Sequence, residues 1–204
     1  MSPKEYIDPS LEDGGEIKFD EDTPLKFQDE QKNIVPDAPF HMRIITYDND
    51  TRFRIEVTME ADLYFFYFAE FEEKTFDDFK NQSGLSINFK DFITSIMKYI
   101  HANSQKDPNY TIVLSQGDNC QLGFKQSLEI KQVDLFDVEL EPETDEFIRR
   151  QIQYRFDKSR ADLKAAREQK EDLCRTMRVS EPKSSSSILP KSPVTPPRSP
   201  TPRK

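Results

Sequence analysis

The chain has 204 residues, 38 acidic against 29 basic side chains, a formal net charge of −9 and no tryptophan. So acidic a chain is a poor general polyanion binder, because neutralising phosphates takes an excess of Lys and Arg, and nucleic acid is not an expected partner. No stretch approaches the roughly 18 apolar residues of a membrane helix, no apolar signal segment opens the chain, and Cys120 and Cys174 make neither a disulfide framework nor a zinc site, which fits a reducing cytoplasm.

Charge, proline and phenylalanine divide the chain unevenly. Residues 1–40 carry net −7, residues 41–142 net −8, residues 143–178 net +2 and residues 179–204 net +4. Twelve of 14 prolines lie before residue 41 or after residue 178, whereas 12 of 16 phenylalanines lie between Phe53 and Phe147. The expected organisation is an unstructured leader over 1–15, a head domain over 16–142, a helix or short coiled coil over 143–178 and a disordered Ser/Pro-rich basic tail over 179–204.

In chain order, Phe40–Tyr47 and Arg52–Glu60 read as strands joined by the turn Asp48-Asn49-Asp50. In the second strand, Phe53, Ile55, Val57 and Met59 alternate with Arg52, Arg54, Glu56 and Thr58, so the latter set is expected to face water. Leu63–Phe71 reads as a third strand covered on both faces. Its run Tyr64–Phe68 is flanked by Asp62, Glu70, Glu72 and Glu73, which argues against a base-stacking platform. Phe76 and Phe79 suggest a short helix. Phe89, Phe92, Ile93, Ile96, Met97 and Ile100 recur at helical spacing behind the candidate N-cap Asn88. Tyr110–Leu114, Gln121–Lys125 and Val133–Leu140 read as further strands.

Pro142 and the acidic Glu143, Asp145 and Glu146 open a terminal helix. Its seam is Ile152, Phe156, Ser159, Leu163, Ala166, Lys170, Leu173 and Met177, six of eight apolar. That register spans about three and a half heptads. A two-stranded coil and a single helix packed on the core are both open. The fold class is α+β: a small barrel- or sandwich-like head with an inserted helical pair, then a helix.

Nothing in the chain assembles a catalytic set. His41 falls at a strand start and His101 at a helix end, and Cys120 has no basic neighbour in sequence to lower its pKa. The five glycines form no phosphate loop, and Asp48-Asn49-Asp50 lacks the Gly and Glu of a calcium loop. No enzyme activity, cofactor, metal or small-molecule ligand is expected.

One resemblance is more specific. Phe76-Asp77-Asp78-Phe79-Lys80 followed by Gly84-Leu85-Ser86-Ile87-Asn88-Phe89-Lys90-Asp91-Phe92 resembles the head-domain stretch F-x-x-L-K-x-x-x-G-L-x-V-D-F-x-x-F-P of the centriolar cartwheel family, spindle assembly abnormal protein six (SAS-six). Phe76, Gly84, Leu85, Phe89 and Phe92 match; Ile87, Asn88 and Ile93 replace Val, Asp and Pro. Leu135–Pro142 and Asp145–Ile148 resemble the family's last strand and the start of its coil. The resemblance implies a self-assembling scaffold of centriole, basal body, cilium, flagellum or axoneme, located in the cytoplasmic cytoskeleton. Its heads dimerise through the helix, and they pair by inserting a large apolar residue from the loop between the last two strands. Here that loop is 126–132 and the residue is Ile130, with Leu128 beside it. From residue pattern alone, Ile130 reads either as a protruding tip or as an inward strand position. The helix, ending near Arg178, resembles the shorter, coil-poor branch of the family. Expected partners are the chain itself, centriolar, basal-body or axonemal proteins, and microtubules. Scaffolds of DNA double-strand-break repair with the same head-plus-coil plan are the alternative. Ser192, Thr195, Ser199 and Thr201, each before a proline, are candidate sites for a proline-directed kinase; a regulatory switch and a passive tail are both open.

Overall fold

The computed structural model describes residues 7–31, 33–117 and 119–180. Seven strands close into a barrel in the order β1-β2-β3-β4-β7-β6-β5: β1 Glu16–Gln28, β2 Ile34–Tyr47, β3 Arg52–Thr58, β4 Phe66–Glu72, β5 Tyr110–Ser115, β6 Cys120–Ser127 and β7 Gln132–Pro142. All pairings are antiparallel except β1 with β5, which meet in parallel over only Lys26–Gln28 and Val113–Ser115. Helices α1, Phe76–Gln82, and α2, Phe89–Ser104, are inserted between β4 and β5, and α3 covers Asp145–Ser180. The chain divides into two compact units at Arg160.

Local chemistry explains the elements. Asp48, Asn49 and Asp50 turn β2 into β3 with φ of 52°, 59° and 64°, a left-handed path that short polar side chains tolerate best after glycine. Asn88 caps α2, its Oδ1 accepting from the Asp91 amide at 2.8 Å. Phe89, Phe92, Ile93, Ile96 and Ile100 form the buried face of α2. The family-motif residues have a physical reason. Leu85 N–H donates to the Lys80 carbonyl at 2.9 Å and Gly84 N–H to that of Asn81 at 3.4 Å, closing α1 in a Schellman motif. That motif needs the left-handed φ of +63° that Gly84 supplies. Phe92 then sits 5.0–5.9 Å, centroid to centroid, from Phe53, Phe71, Phe76, Phe79 and Phe136. These rings form an aromatic network joining the helical pair to the barrel, and a second group, Phe27, Phe40 and Phe65, packs apart from it.

Three expectations are corrected. The expected leader is ordered from Ile7: a 3-10 turn at Pro9–Leu11 buries Asp8 and Ser10, and the long strand β1 follows where no strand was expected. The third strand begins at Phe66, not Leu63; Leu63 and Tyr64 are exposed, because the Asp62 side chain accepts from the Tyr64 amide and its carbonyl from the Phe65 amide, forming a turn. Glu56 and Thr58 do not face water. The 3-10 turn and the first turns of α3 cover the outer face of β2 and β3, so Glu56 is 0% exposed and Thr58 buried.

Candidate interaction surfaces

Three features stand apart from the core: a hairpin tip, a groove and a helix face. The antiparallel register puts the β2–β3 and β6–β7 turns at one end of the barrel, and the β1–β2, β3–β4 and β5–β6 loops at the other. In the β6–β7 hairpin Ser127 pairs with Gln132, and Leu128 N–H donates to the Lys131 carbonyl at 2.8 Å. Ser127 N–H also donates to the Asn109 carbonyl at 2.7 Å, and Lys125 pairs with Asp134 at 2.8 Å, which braces the hairpin. Ile130 lies at the turn and is 96% exposed; Leu128 is 50% exposed. The inward reading of Ile130 is thereby excluded.

The groove arises where the barrel closes least. β4 meets β7 only at Tyr67–Pro142 and Phe68–Glu141, so the two strands splay beyond that point. Ala69, Phe71 and Phe79 provide the apolar lining, and Glu70, Asp137, Glu139 and Glu141 the acidic one; the volume is about 360 Å³. Sequence reading missed this groove, because it depends on how far two strands stay paired.

Along α3, Ile152 is half-buried, whereas Phe156, Leu163, Ala166 and Leu173 are exposed. The side chain of Met177 lies outside the described residues, as do Ser192, Thr195, Ser199 and Thr201. The N-terminal turns of α3 are anchored. Thr144 Oγ1 accepts from the Phe147 amide at 3.3 Å, the Phe147 ring meets that of Phe66 edge-on, and Ile148 is buried.

A buried polar cluster completes the anchor, and it too was not anticipated. Glu56 accepts from Ser10 Oγ at 2.8 Å, Arg54 Nε at 3.0 Å and Arg43 at 3.2 Å. Arg43 also pairs with Asp8 at 2.8 Å, Gln151 Nε2 donates to Asp8 at 2.7 Å and to Ser10 Oγ at 2.6 Å, and Arg54 pairs with Glu143. Burial works against the Arg43 charge, but Glu56, Asp8 and Asp20 outweigh it and raise its pKa. Burial and the nearby Arg43 lower that of Arg155. The only sequence signal was the alternation of Arg52, Arg54 and Glu56 along one face of β3.

The two histidines and two cysteines are spread out. His41 lies between Asp22 at 2.8 Å and Asp20 at 2.6 Å, His101 is exposed, Cys120 is buried and Cys174 exposed. Among the described residues no three His, Cys, Asp or Glu gather as a metal site, and no helix is long and apolar enough to cross a membrane. Burial pushes the Cys120 thiol from its ordinary value near 9 up to about 11. Burial, then the Glu56 charge, push the Tyr47 hydroxyl up to about 12. Both folded-state values exceed the unfolded ones, so each contribution to stability is complete below the unfolded pKa and lost as pH rises towards the folded one. Each two-unit shift corresponds to about 3 kcal/mol. Urea midpoints are therefore expected to fall steeply from pH 9 to 11, Cys120→Ala to flatten the first part of that fall and Tyr47→Phe the part above pH 10. Equal slopes in all three proteins would contradict these assignments.

The model of the centriolar protein SAS N-terminal domain matches residues 17–140. The chain belongs to the SAS-6 family. Solved structures carry the same fold at low identity. A mutant N-terminal fragment of Leishmania SAS-6, containing parts of its coiled coil domain, aligns with a TM-score of 0.71 at 13% identity over 84% of this chain and 99% of that one. A mutant N-terminal fragment of Drosophila melanogaster Sas-6, dimerised via its coiled-coil domain, gives 0.71 at 11% over 82% and 85%. The N-terminal coiled-coil dimer of C. elegans SAS-6 gives 0.58 at 12% over 78% and 98%. No curated protein sequence matches. The SAS-6 family match runs from β1 at Ile17 to β7 at Leu140 and takes in α1 and α2, so it includes the hairpin tip, the Schellman motif and the groove apart from Glu141.

Proposed function

We propose that this SAS-6 family member is a self-assembling scaffold of the centriole or basal body, joined by head–head and helix–helix contacts. One observation carries the head contact: an isoleucine 96% exposed at the tip of a braced hairpin, on a barrel whose acidic groove suits it. Isolated exposed apolar residues are common, but a fully exposed one on a rigid turn next to Lys131 is complementary to an apolar hollow edged by Glu70, Asp137, Glu139 and Glu141. Tip and groove are different patches, so the contact is heterologous and repeats into a ring or a spiral. A contact this small is weak alone and gains from being multiplied through a second contact.

The helix supplies that second contact. Phe156, Leu163, Ala166 and Leu173 make an exposed seam, and the Drosophila relative is dimerised through its coiled coil. Leu163→Glu is expected to weaken the dimer at least about tenfold, since a buried leucine contributes roughly 1.5–3 kcal/mol. Sedimentation equilibrium reads this directly, and an unchanged dimer constant would place the contact elsewhere.

The family match favours the centriolar reading over the DNA-break-repair scaffold. Localisation to basal body, cilium or flagellum base and binding to centriolar, axonemal or microtubule partners follow from that reading. Phosphorylation of Ser192, Thr195, Ser199 and Thr201 by a proline-directed kinase would invert the charge of the net +4 segment 179–204.

A further inference from the structure

The two edges of β1 are used unequally. β2 pairs along it from Glu16 to Gln28, but β5 reaches the opposite edge only at Lys26, Phe27 and Gln28. Just before that closure α2 takes over: Asn103 Nδ2 donates to the Pro24 carbonyl at 2.6 Å, and Ser104 Oγ lies 3.5 Å from Thr23 Oγ1. From Glu16 to Asp22 the outer edge has no backbone partner among the described residues. Six of those seven residues are exposed, and only Phe19 turns partly into the core. A strand in this state leaves N–H and C=O groups on alternate residues open to an added strand.

Charge selects what can be added. The segment carries Glu16, Asp20, Glu21 and Asp22 against Lys18, and Lys18 is already paired with Glu16 at 2.8 Å. A second copy of the same edge would set carboxylates opposite carboxylates, which disfavours pairing with itself. The basic segment 181–204 of this chain holds seven prolines, each without the N–H a ladder requires. We propose that the free edge of β1 from Glu16 to Asp22 receives an extended, basic segment of another protein as an added strand. Lys or Arg at alternate positions of that segment face Asp20 and Asp22.

The test uses the full chain, isotopically labelled, and a synthetic acetylated peptide alternating lysine with threonine or valine. Alternate amides within 16–22 are expected to shift and to gain about tenfold hydrogen-exchange protection on binding. Asp22→Lys, at the more exposed of the carboxylates Asp20 and Asp22, should weaken binding about fivefold while the head keeps its cooperative melting. The same peptide N-methylated along its backbone should not bind, because its charge is kept and its ladder donors are gone. Equal binding of the N-methylated peptide, shifts that map to the groove beside Glu139 instead, or no protection at 16–22 at millimolar peptide would each overturn the proposal.

Discussion

Ile130→Glu is expected to abolish pairing between heads while leaving the fold unchanged. The side chain is 96% exposed at a turn whose backbone is held by the Leu128–Lys131 and Ser127–Asn109 hydrogen bonds, neither of which uses it. Substitution at such a site should move folding stability by less than about 0.5 kcal/mol. The effect on association is much larger. Burying an isoleucine in the groove contributes about 1.5–3 kcal/mol. A glutamate there loses that and meets Glu70, Asp137, Glu139 and Glu141. Together these exceed about 3 kcal/mol, more than about a hundredfold in affinity. Concentration series by sedimentation velocity should show species larger than the dimer for the unmodified chain and none for the variant, with matching melting curves. Leu128→Glu, half-exposed at the edge of the same tip, should give a smaller loss.

Glu56→Ala is expected to destabilise the head by about 3–5 kcal/mol, the usual cost of removing one partner from a buried ionic network. Glu56 is fully buried and accepts from Ser10, Arg43 and Arg54. Without it Arg43 keeps Asp8 and Arg54 keeps Glu143, but both guanidiniums stay in place with less compensating charge. Glu56→Gln keeps the shape and part of the hydrogen bonding, so its cost should be smaller. Because the same network holds the Pro9–Leu11 turn and Gln151, exchange of the amides around Ile148–Gln151 should rise beyond what global destabilisation explains. Urea unfolding gives the first quantity and hydrogen exchange the second. A loss below about 1 kcal/mol would mean the cluster is not a unit.

The legible parts of this chain are those decided locally. The apolar spacing and Asn88 cap of α2, the Asp48–Asp50 turn and the Gly84-Leu85 helix stop each follow from neighbours within a few residues. β1 was hidden because its inward set Phe19, Thr23, Leu25 and Phe27 is diluted by Glu21, Pro24 and the acidic outer residues, and because its register shifts at two points. Glu56 misled for a tertiary reason. Its alternation with Val57 and Ile55 describes a half-wet strand, but a segment from residues 8–12 and the start of α3 dry the outer face. Ile130 was ambiguous by pattern, since an apolar residue near a hairpin fits either side of the sheet. Only the turn geometry decides it.

Insertion of the tip of one head into the groove of another is measurable as paramagnetic relaxation between two copies. One copy is isotopically labelled and carries Ile130→Glu, so it keeps its groove but lacks its tip. The other is unlabelled, keeps Ile130, and bears a nitroxide at Glu129→Cys with Cys174→Ser removing the exposed native thiol. Selective broadening of amides at Ala69, Phe71, Phe79 and Gln82 in the labelled copy is expected. Broadening centred on any other surface, or none at concentrations where the unmodified chain assembles, would contradict it.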